Sequence, residues 1–139
     1  MKIYLYFIGK ARDPHANAMA AEYIKRSTRY ISCEMREIHP ARFDPWMRHP
    51  AAAKVLLDPA GRTLDTGAFV KLVEKSEREA RDLVFVIGGA DGLPAEWRPR
   101  ADLLVSLTPL TLPHELARVI LAEQIYRAVT TLRGHPYPR

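Results

Sequence analysis

Residues 83–93 have the sequence LVFVIGGADGL, a continuously apolar run that stops at a glycine-rich loop. A strand that is covered on both faces exposes no polar side, so an unbroken run of branched and aromatic residues indicates a central strand of a parallel sheet. The glycines match neither the spacing of a dinucleotide-binding loop nor that of a phosphate-binding loop. By spacing alone, two interpretations of this loop stay open: a tight turn that needs positive φ angles, and a cofactor site.

Strands and helices alternate on either side of this central strand. The link at residues 39–50 contains three prolines, which exclude a long helix there, and we expect an irregular segment packed by Phe43, Trp46 and Met47. The alternation predicts an α/β fold, with a parallel sheet flanked by helices on both faces. The remaining predicted strands are residues 2–9, 31–38, 53–58 (followed by a turn at 58–61) and 103–107, and the predicted helices are 14–29, 65 or 66 to about 81, 95–101, and 112 or 113 to about 132.

Size and composition favour one soluble domain over residues 1–139. The chain is 47% hydrophobic, enough for one core but marginal for two. Its single cysteine excludes an internal disulfide and fits a reducing, cytoplasmic setting, and no Cys/His cluster has zinc spacing. No apolar run is long enough to span a membrane.

The positive charge is concentrated at the start of the chain. The net charge is +5, and residues 1–30 carry six Lys or Arg against two Asp or Glu, a net charge of +4. Such a segment suits a polyanion such as RNA. Many basic proteins bind no nucleic acid, so charge alone does not decide the function.

The loop at residues 107–113, LTPLTLP, is apolar where a surface loop is normally polar. Its backbone groups need hydrogen-bond partners if the loop is buried. An adenine ring would provide them while leucines cover its faces, and a partner subunit burying the loop is an equally open explanation. Ligands of parallel sheets bind beyond the carboxyl ends of the strands, where this loop and the glycine loop are both expected.

The last helix and the tail suggest two kinds of partner, a second subunit and RNA. The helix is apolar nearly all round, which is typical of a buried helix, and in a chain of this size we take it as a prediction of a dimer interface. The tail carries His135, Tyr137 and Arg139. Tyrosine stacks on bases and arginine binds phosphate, while a disordered terminus is equally open.

Together these segments resemble the RlmH family of SPOUT-class methyltransferases over nearly the whole chain. The motifs that carry the resemblance are IGGADGL at 87–93, LTLPH at 110–114, AEQIYRA at 122–128 and HPY at 135–137. The resemblance implies a C-terminal trefoil knot, which no sequence pattern would predict. It also implies a homodimer that uses S-adenosylmethionine and no metal to methylate N3 of a pseudouridine in 23S ribosomal RNA, on assembled ribosomes.

The resemblance also implies roles for individual residues. In a dimer, the tail of one subunit would complete the site of the other; either His114 or His135 would take the N3 proton, and an arginine would stabilise the resulting anion. The implied substrate-side residues are His114, Arg118, His135, Tyr137 and Arg139. The implied cofactor contacts are Leu57, Gly88, Leu107, Thr108, Pro109, Leu110, Thr111 and Leu112.

The chain departs from the family in two places. The link at 39–50 is distinctly shorter than in the family, and Pro138 stands where the family usually has a histidine. Two other functions therefore remain open. One is a non-catalytic, ribosome-binding relative, and the other is an unrelated small nucleotide-binding enzyme.

Overall fold

One parallel sheet organises the computed structural model, which describes residues 1–137. Its strands are β1 (Lys2–Ile8), β2 (Ser32–Ile38), β3 (Ala53–Thr63), β4 (Leu83–Ile87) and β5 (Leu103–Ser106). They lie in the order β2-β1-β4-β3-β5. All five residues of β4 are buried at the centre of the sheet, which confirms the predicted central strand. The knotted threading of the chain and the single-domain boundary stay predictions.

Four α-helices connect or follow the strands: α1 (Pro14–Ser27), α2 (Pro45–Arg48), α3 (Thr66–Arg78) and α4 (His114–Leu132). An aspartate is the N-cap residue of each of the first three helices. The Asp13 carboxylate accepts the amides of His15 and Ala16, and Asp44 and Asp65 cap α2 and α3 in the same way. Such caps satisfy amides that have no partner inside the helix. A 3₁₀ helix spans Ala95–Arg100.

The two faces of the sheet are covered unequally. Helices α1, α3 and α4 pack on one face, around side chains such as Leu5 and Phe85. The other face is covered by the link and the 3₁₀ helix, around Leu56 and Trp97. Helices therefore flank both faces, as predicted. Helix α4 contacts both α1 and α3, so most of the apolar surface from which we predicted a dimer interface is buried inside the chain.

The proline-broken link forms one helical turn, α2, and otherwise irregular chain. Phe43 packs edge-on against Tyr6 at 4.9 Å between ring centroids, and Trp46 packs against Trp97 at 5.6 Å. The expectation was wrong for Met47, whose side chain is 82% exposed. A single helical turn has only one buried side, which Pro45 occupies in α2.

Strand β3 is longer than predicted and carries an irregularity. It continues past the expected end at Asp58 to Thr63, and its pairing with β5 shifts register between Leu57 and Arg62. The predicted turn lies inside this shift, where the Asp58 carboxylate accepts the Ala60 amide at 2.8 Å. The irregularity brings Asp58 to the carboxyl edge of the sheet.

Candidate functional site

A cavity of about 320 Å³ lies at the carboxyl edge of the sheet, where β4 and β5 end and where the pairing of β3 shifts register. Its walls come from three segments that are far apart in sequence: residues 57–59, the glycine loop at 87–93, and the bend at 105–112 that joins β5 to α4. The start of α4 closes one side. This is the location expected for a ligand of a parallel sheet.

The cavity brings together the residues for which the resemblance implied cofactor contacts. All eight belong to its lining: Leu57, Gly88, Leu107, Thr108, Pro109, Leu110, Thr111 and Leu112. His114, from the substrate-side set, lines it as well. The contacts of these residues with a cofactor stay a prediction, while their convergence on one cavity is a property of the structure.

The glycine loop is held by close backbone approaches. A Cβ atom on Gly88 would lie 2.7 Å from the carbonyl carbon of Gly92, and one on Gly89 would lie 2.7 Å from the carbonyl oxygen of Ile8. Of the three glycines in this loop, only Gly92 has a positive φ, of 77°. The expectation of positive φ angles therefore holds for one glycine, whereas Gly88 and Gly89 are needed because backbone segments touch there.

The bend makes few hydrogen bonds of its own. The Ser106 hydroxyl donates to the Thr108 carbonyl at 2.9 Å, and the Leu110 amide donates to the Thr108 hydroxyl at 3.1 Å. Within residues 1–137, the amides of Thr111 and Leu112 donate to no protein atom. The bend thus offers backbone donors and apolar side chains to the same cavity.

An ion pair in the cavity wall, between the buried Asp58 and the exposed Arg98, was missed from the sequence. The Asp58 carboxylate accepts a hydrogen bond from Arg98 and another from the Ala60 amide. The Arg98 hydrogen bond, helped by the amide, lowers the pKa of Asp58. Forty residues separate the two partners, and Asp58 was interpreted only as a turn residue, so no sequence signal joined them.

His114 and Arg118 lie one turn apart on α4 but face different surroundings. His114 is half-buried in the cavity wall, with its Nε2 3.9 Å from Glu115 Oε1. Arg118 is fully buried and does not line the cavity. Its guanidinium donates to the carbonyls of Ile8 and Gly9 at 3.1 and 3.2 Å.

The contact of Arg118 with substrate stays a prediction, and in the single chain this side chain lies behind the cavity wall. Burial lowers the pKa of its guanidinium, and the group lies 4.2 Å from the centroid of the Phe7 ring. In the single chain, the hydrogen bonds of this enclosed arginine are directed at the end of β1, where they hold the backbone.

The tail lies away from the cavity of its own chain. It folds back along α4, so that the Tyr137 hydroxyl donates to the Glu123 carboxylate at 2.6 Å, and the Nδ1 of His135 accepts the Tyr137 amide at 3.1 Å. Glu123 is about 14 Å along the helix axis from His114. The structure does not bring His135 and Tyr137 to the cavity, and Arg139 and Pro138 lie outside the described residues.

The described residues contain neither a metal site nor a membrane-spanning helix. Residues 1–137 hold no group of three or more side chains that would bind a metal ion. In the same residues, no helix has the length and apolarity needed to cross a membrane.

Comparisons with known proteins agree with this geometry. A family model described as "Predicted SPOUT methyltransferase" matches residues 1–138. A "Ribosomal RNA large subunit methyltransferase H" from Solibacter usitatus is 63% identical over 139 residues, and both chains are covered completely.

Solved structures share the fold at low sequence identity. A probable methylase family protein from Haemophilus influenzae has a TM-score of 0.64 at 12% identity, covering 99% of this chain and 70% of its own. An AdoMet-bound rRNA methyltransferase from Sinorhizobium meliloti has a TM-score of 0.58 at 16% identity, covering 91% and 56%. By its full-length match, the chain belongs to the SPOUT methyltransferase family and, within it, to the ribosomal RNA large subunit methyltransferase H proteins.

Proposed function

We propose that this protein is a cytoplasmic homodimer that transfers a methyl group from S-adenosylmethionine to N3 of a pseudouridine in the 23S RNA of assembled ribosomes. The observation that carries the proposal is the convergence on one cavity of the eight residues for which the resemblance implied cofactor contacts. The full-length relative at 63% identity is named for methylation of large-subunit ribosomal RNA, and the AdoMet-bound neighbour supports the choice of cofactor.

The residues of the cavity fit an adenosyl group. The volume of about 320 Å³ is at the lower end of small-molecule sites, which range from roughly 300 to 1,000 Å³. Leu57, Leu107 and Leu112 supply apolar walls, and the amides of Thr111 and Leu112 are donors for the edge of a purine. When bound, S-adenosylmethionine supplies a methyl group that is activated by the positive charge on sulfur.

The side chains have to position the nucleotide and remove a proton. The N3 atom attacks only after it loses its proton, and a histidine within hydrogen-bond reach is a suitable base. His114 lines the cavity, which supports this role for it, and His135 of a partner's tail is the alternative. Orientation of the two reactants contributes much of the rate, so the walls of the cavity are part of the catalytic apparatus.

The dimer is proposed because one chain leaves its own site incomplete. Tyr137 is bound to Glu123 on α4, so the tail reaches a cavity only if that cavity belongs to another subunit. Met19 on α1 and Leu116 on α4 are 54% and 45% exposed. We propose that these two apolar side chains belong to the contact between the subunits.

The test uses purified protein, S-adenosylmethionine with a labelled methyl group, and ribosomes from a strain that lacks the modification. We expect label in 23S RNA at one pseudouridine, and binding of S-adenosylhomocysteine in calorimetry. Ribosome binding without methyl transfer would identify the non-catalytic relative. Preference for a phosphorylated nucleotide over S-adenosylhomocysteine would identify an unrelated nucleotide enzyme.

A further inference from the structure

The loop between β1 and α1, residues 9–13, is exposed and basic but firmly held. Lys10 and Arg12 are both exposed. The Glu115 carboxylate, in the first turn of α4, accepts the amides of Arg12 and Asp13 at 3.1 and 2.8 Å. The same oxygen accepts the side-chain amide of Asn17 at 2.6 Å. One carboxylate thereby fixes the second half of the loop to α4.

Arg118 holds the beginning of the loop from the other side. Its guanidinium donates to the carbonyls of Ile8 and Gly9 and, at 3.3 Å, to the Asn17 side chain. Gly9 has a φ of 95°, so the chain turns sharply there with little tolerance for a side chain. The loop is anchored at both ends, while the side chains between the anchors remain in solvent.

This loop lies beside the cavity. A Cβ on Gly89, a cavity residue, would be 2.7 Å from the Ile8 carbonyl oxygen and 3.7 Å from Gly9 Cα. On the other side, Glu115 directly follows the cavity residue His114. The loop therefore contacts two walls of the cavity, although none of its residues lines it.

The acids around the loop are occupied by backbone amides. Asp13 caps α1, and hydrogen bonds, foremost that from the Asp13 amide, lower the pKa of Glu115. Asp91 on the neighbouring glycine loop is exposed. In residues 1–137, neither Lys10 nor Arg12 makes an ion pair, so both are available to an anion from outside.

We propose that Lys10 and Arg12 bind phosphates of the RNA strand beside the target nucleotide, and that Glu115 and Arg118 are positioning residues that hold this loop. The inference rests on the proposed function. A loop that is already ordered loses little conformational entropy on binding. Phosphate contacts of this kind set the register of a nucleic acid without reading its sequence.

The test compares Lys10→Gln/Arg12→Gln with Lys71→Gln/Lys75→Gln, a pair on exposed positions of α3 that removes the same charge. The loop variant is expected to raise the KM for ribosomes by roughly tenfold and to flatten the dependence of log KM on log salt by about 1 to 2 units. Its kcat and its affinity for S-adenosylhomocysteine should match those of the wild type. The α3 variant should match the wild type throughout.

Positioning is tested separately with Glu115. Glu115→Ala should raise the KM for ribosomes, and Glu115→Gln, which keeps an acceptor oxygen, should restore most of the loss. Glu115→Ala with an unchanged KM and only a lower unfolding midpoint would overturn the positioning role. A loop variant with wild-type KM and salt dependence would overturn the phosphate contacts, whereas a wild-type protein that methylates no ribosomes would instead overturn the proposed function.

Discussion

At the scale of single residues, Gly88 shows how the cavity wall depends on backbone contact. Its Cβ position is 2.7 Å from the carbonyl carbon of Gly92 and 2.9 Å from its Cα. Backbone atoms cannot rotate away, so Gly88→Ala must displace the loop. We expect the free energy of unfolding in urea to fall by about 1–3 kcal/mol, together with a loss of S-adenosylhomocysteine affinity.

Gly67→Ala is the matched control. In α3, a Cβ on Gly67 would have Asp65 Oδ1 as its neighbour at 3.6 Å, an ordinary contact, and alanine is favoured over glycine inside helices by about 1 kcal/mol. Its free energy of unfolding should be unchanged or higher. If both variants unfold at the wild-type urea concentration, the close approach of Gly88 to Gly92 is wrong.

His49 gives a pH dependence at the same scale. Its Nε2 lies 2.7 Å from the Tyr6 hydroxyl, and burial, aided by Arg48, lowers its pKa. The unfolded chain therefore binds this proton more readily than the folded protein. Stability is fully present above the ordinary histidine pKa of about 6.5 and falls as the pH drops from there through the lowered folded pKa.

We expect urea midpoints measured between about pH 7 and pH 5 to decrease less steeply in His49→Gln than in the wild type, because glutamine keeps a polar partner for Tyr6 but does not titrate. Identical slopes in the two proteins would show that His49 is as easily protonated in the fold as outside it.

At the scale of elements, a substitution in the bend after β5 should weaken ligand binding without lowering the stability of the fold. Leu110 is a cavity residue whose side chain is 73% exposed, so little is lost from the fold on truncation. If the side chain covers a ligand, Leu110→Ala loses that burial. We expect roughly a fivefold weaker binding of S-adenosylhomocysteine in calorimetry, with the free energy of unfolding within about 0.5 kcal/mol of the wild type.

Met47→Ala is the control for this change. Met47 is 82% exposed on the opposite face of the sheet, so both binding and unfolding should be unaffected. Equal affinities for all three proteins would mean that Leu110 does not cover the ligand.

The elements also show what the sequence could predict. Strand β4 and helices α1, α3 and α4 were predicted to within a few residues, because runs and periodic patterns of apolar residues are local signals. The irregularity of β3 was missed because it depends on the pairing of β3 with β5. The pair Asp58–Arg98 was missed because it depends on where the 3₁₀ helix packs against β3. Met47 was wrongly predicted to be buried, because a short link has no repeating pattern of apolar residues that would show which side chains face the core.

At the scale of the whole molecule, α4 contacts both groups of predicted site residues, the cavity and the tail, and separates them along its length. Its start borders the cavity at His114, and Glu123, farther along, binds the tail through Tyr137. The motifs predicted both groups of residues but not their separation, because the path of a tail around a helix is set by tertiary contacts. The site that we propose to be shared between two subunits would account for this separation.

Mixing two disabled chains tests the shared site. Leu112→Trp should fill the cavity, and Tyr137→Ala removes the tail side chain that binds Glu123, so each homodimer should lose most of its methyl transfer to ribosomes. In a mixed dimer, the tail of the Leu112→Trp chain meets the intact cavity of the Tyr137→Ala chain. Random pairing at equal amounts should restore about a quarter of the wild-type activity, since half of the dimers then contain one intact site. Refolded mixtures that stay as inactive as their parents, while S-adenosylhomocysteine still binds Tyr137→Ala, would show that the tail does not complete a partner's site.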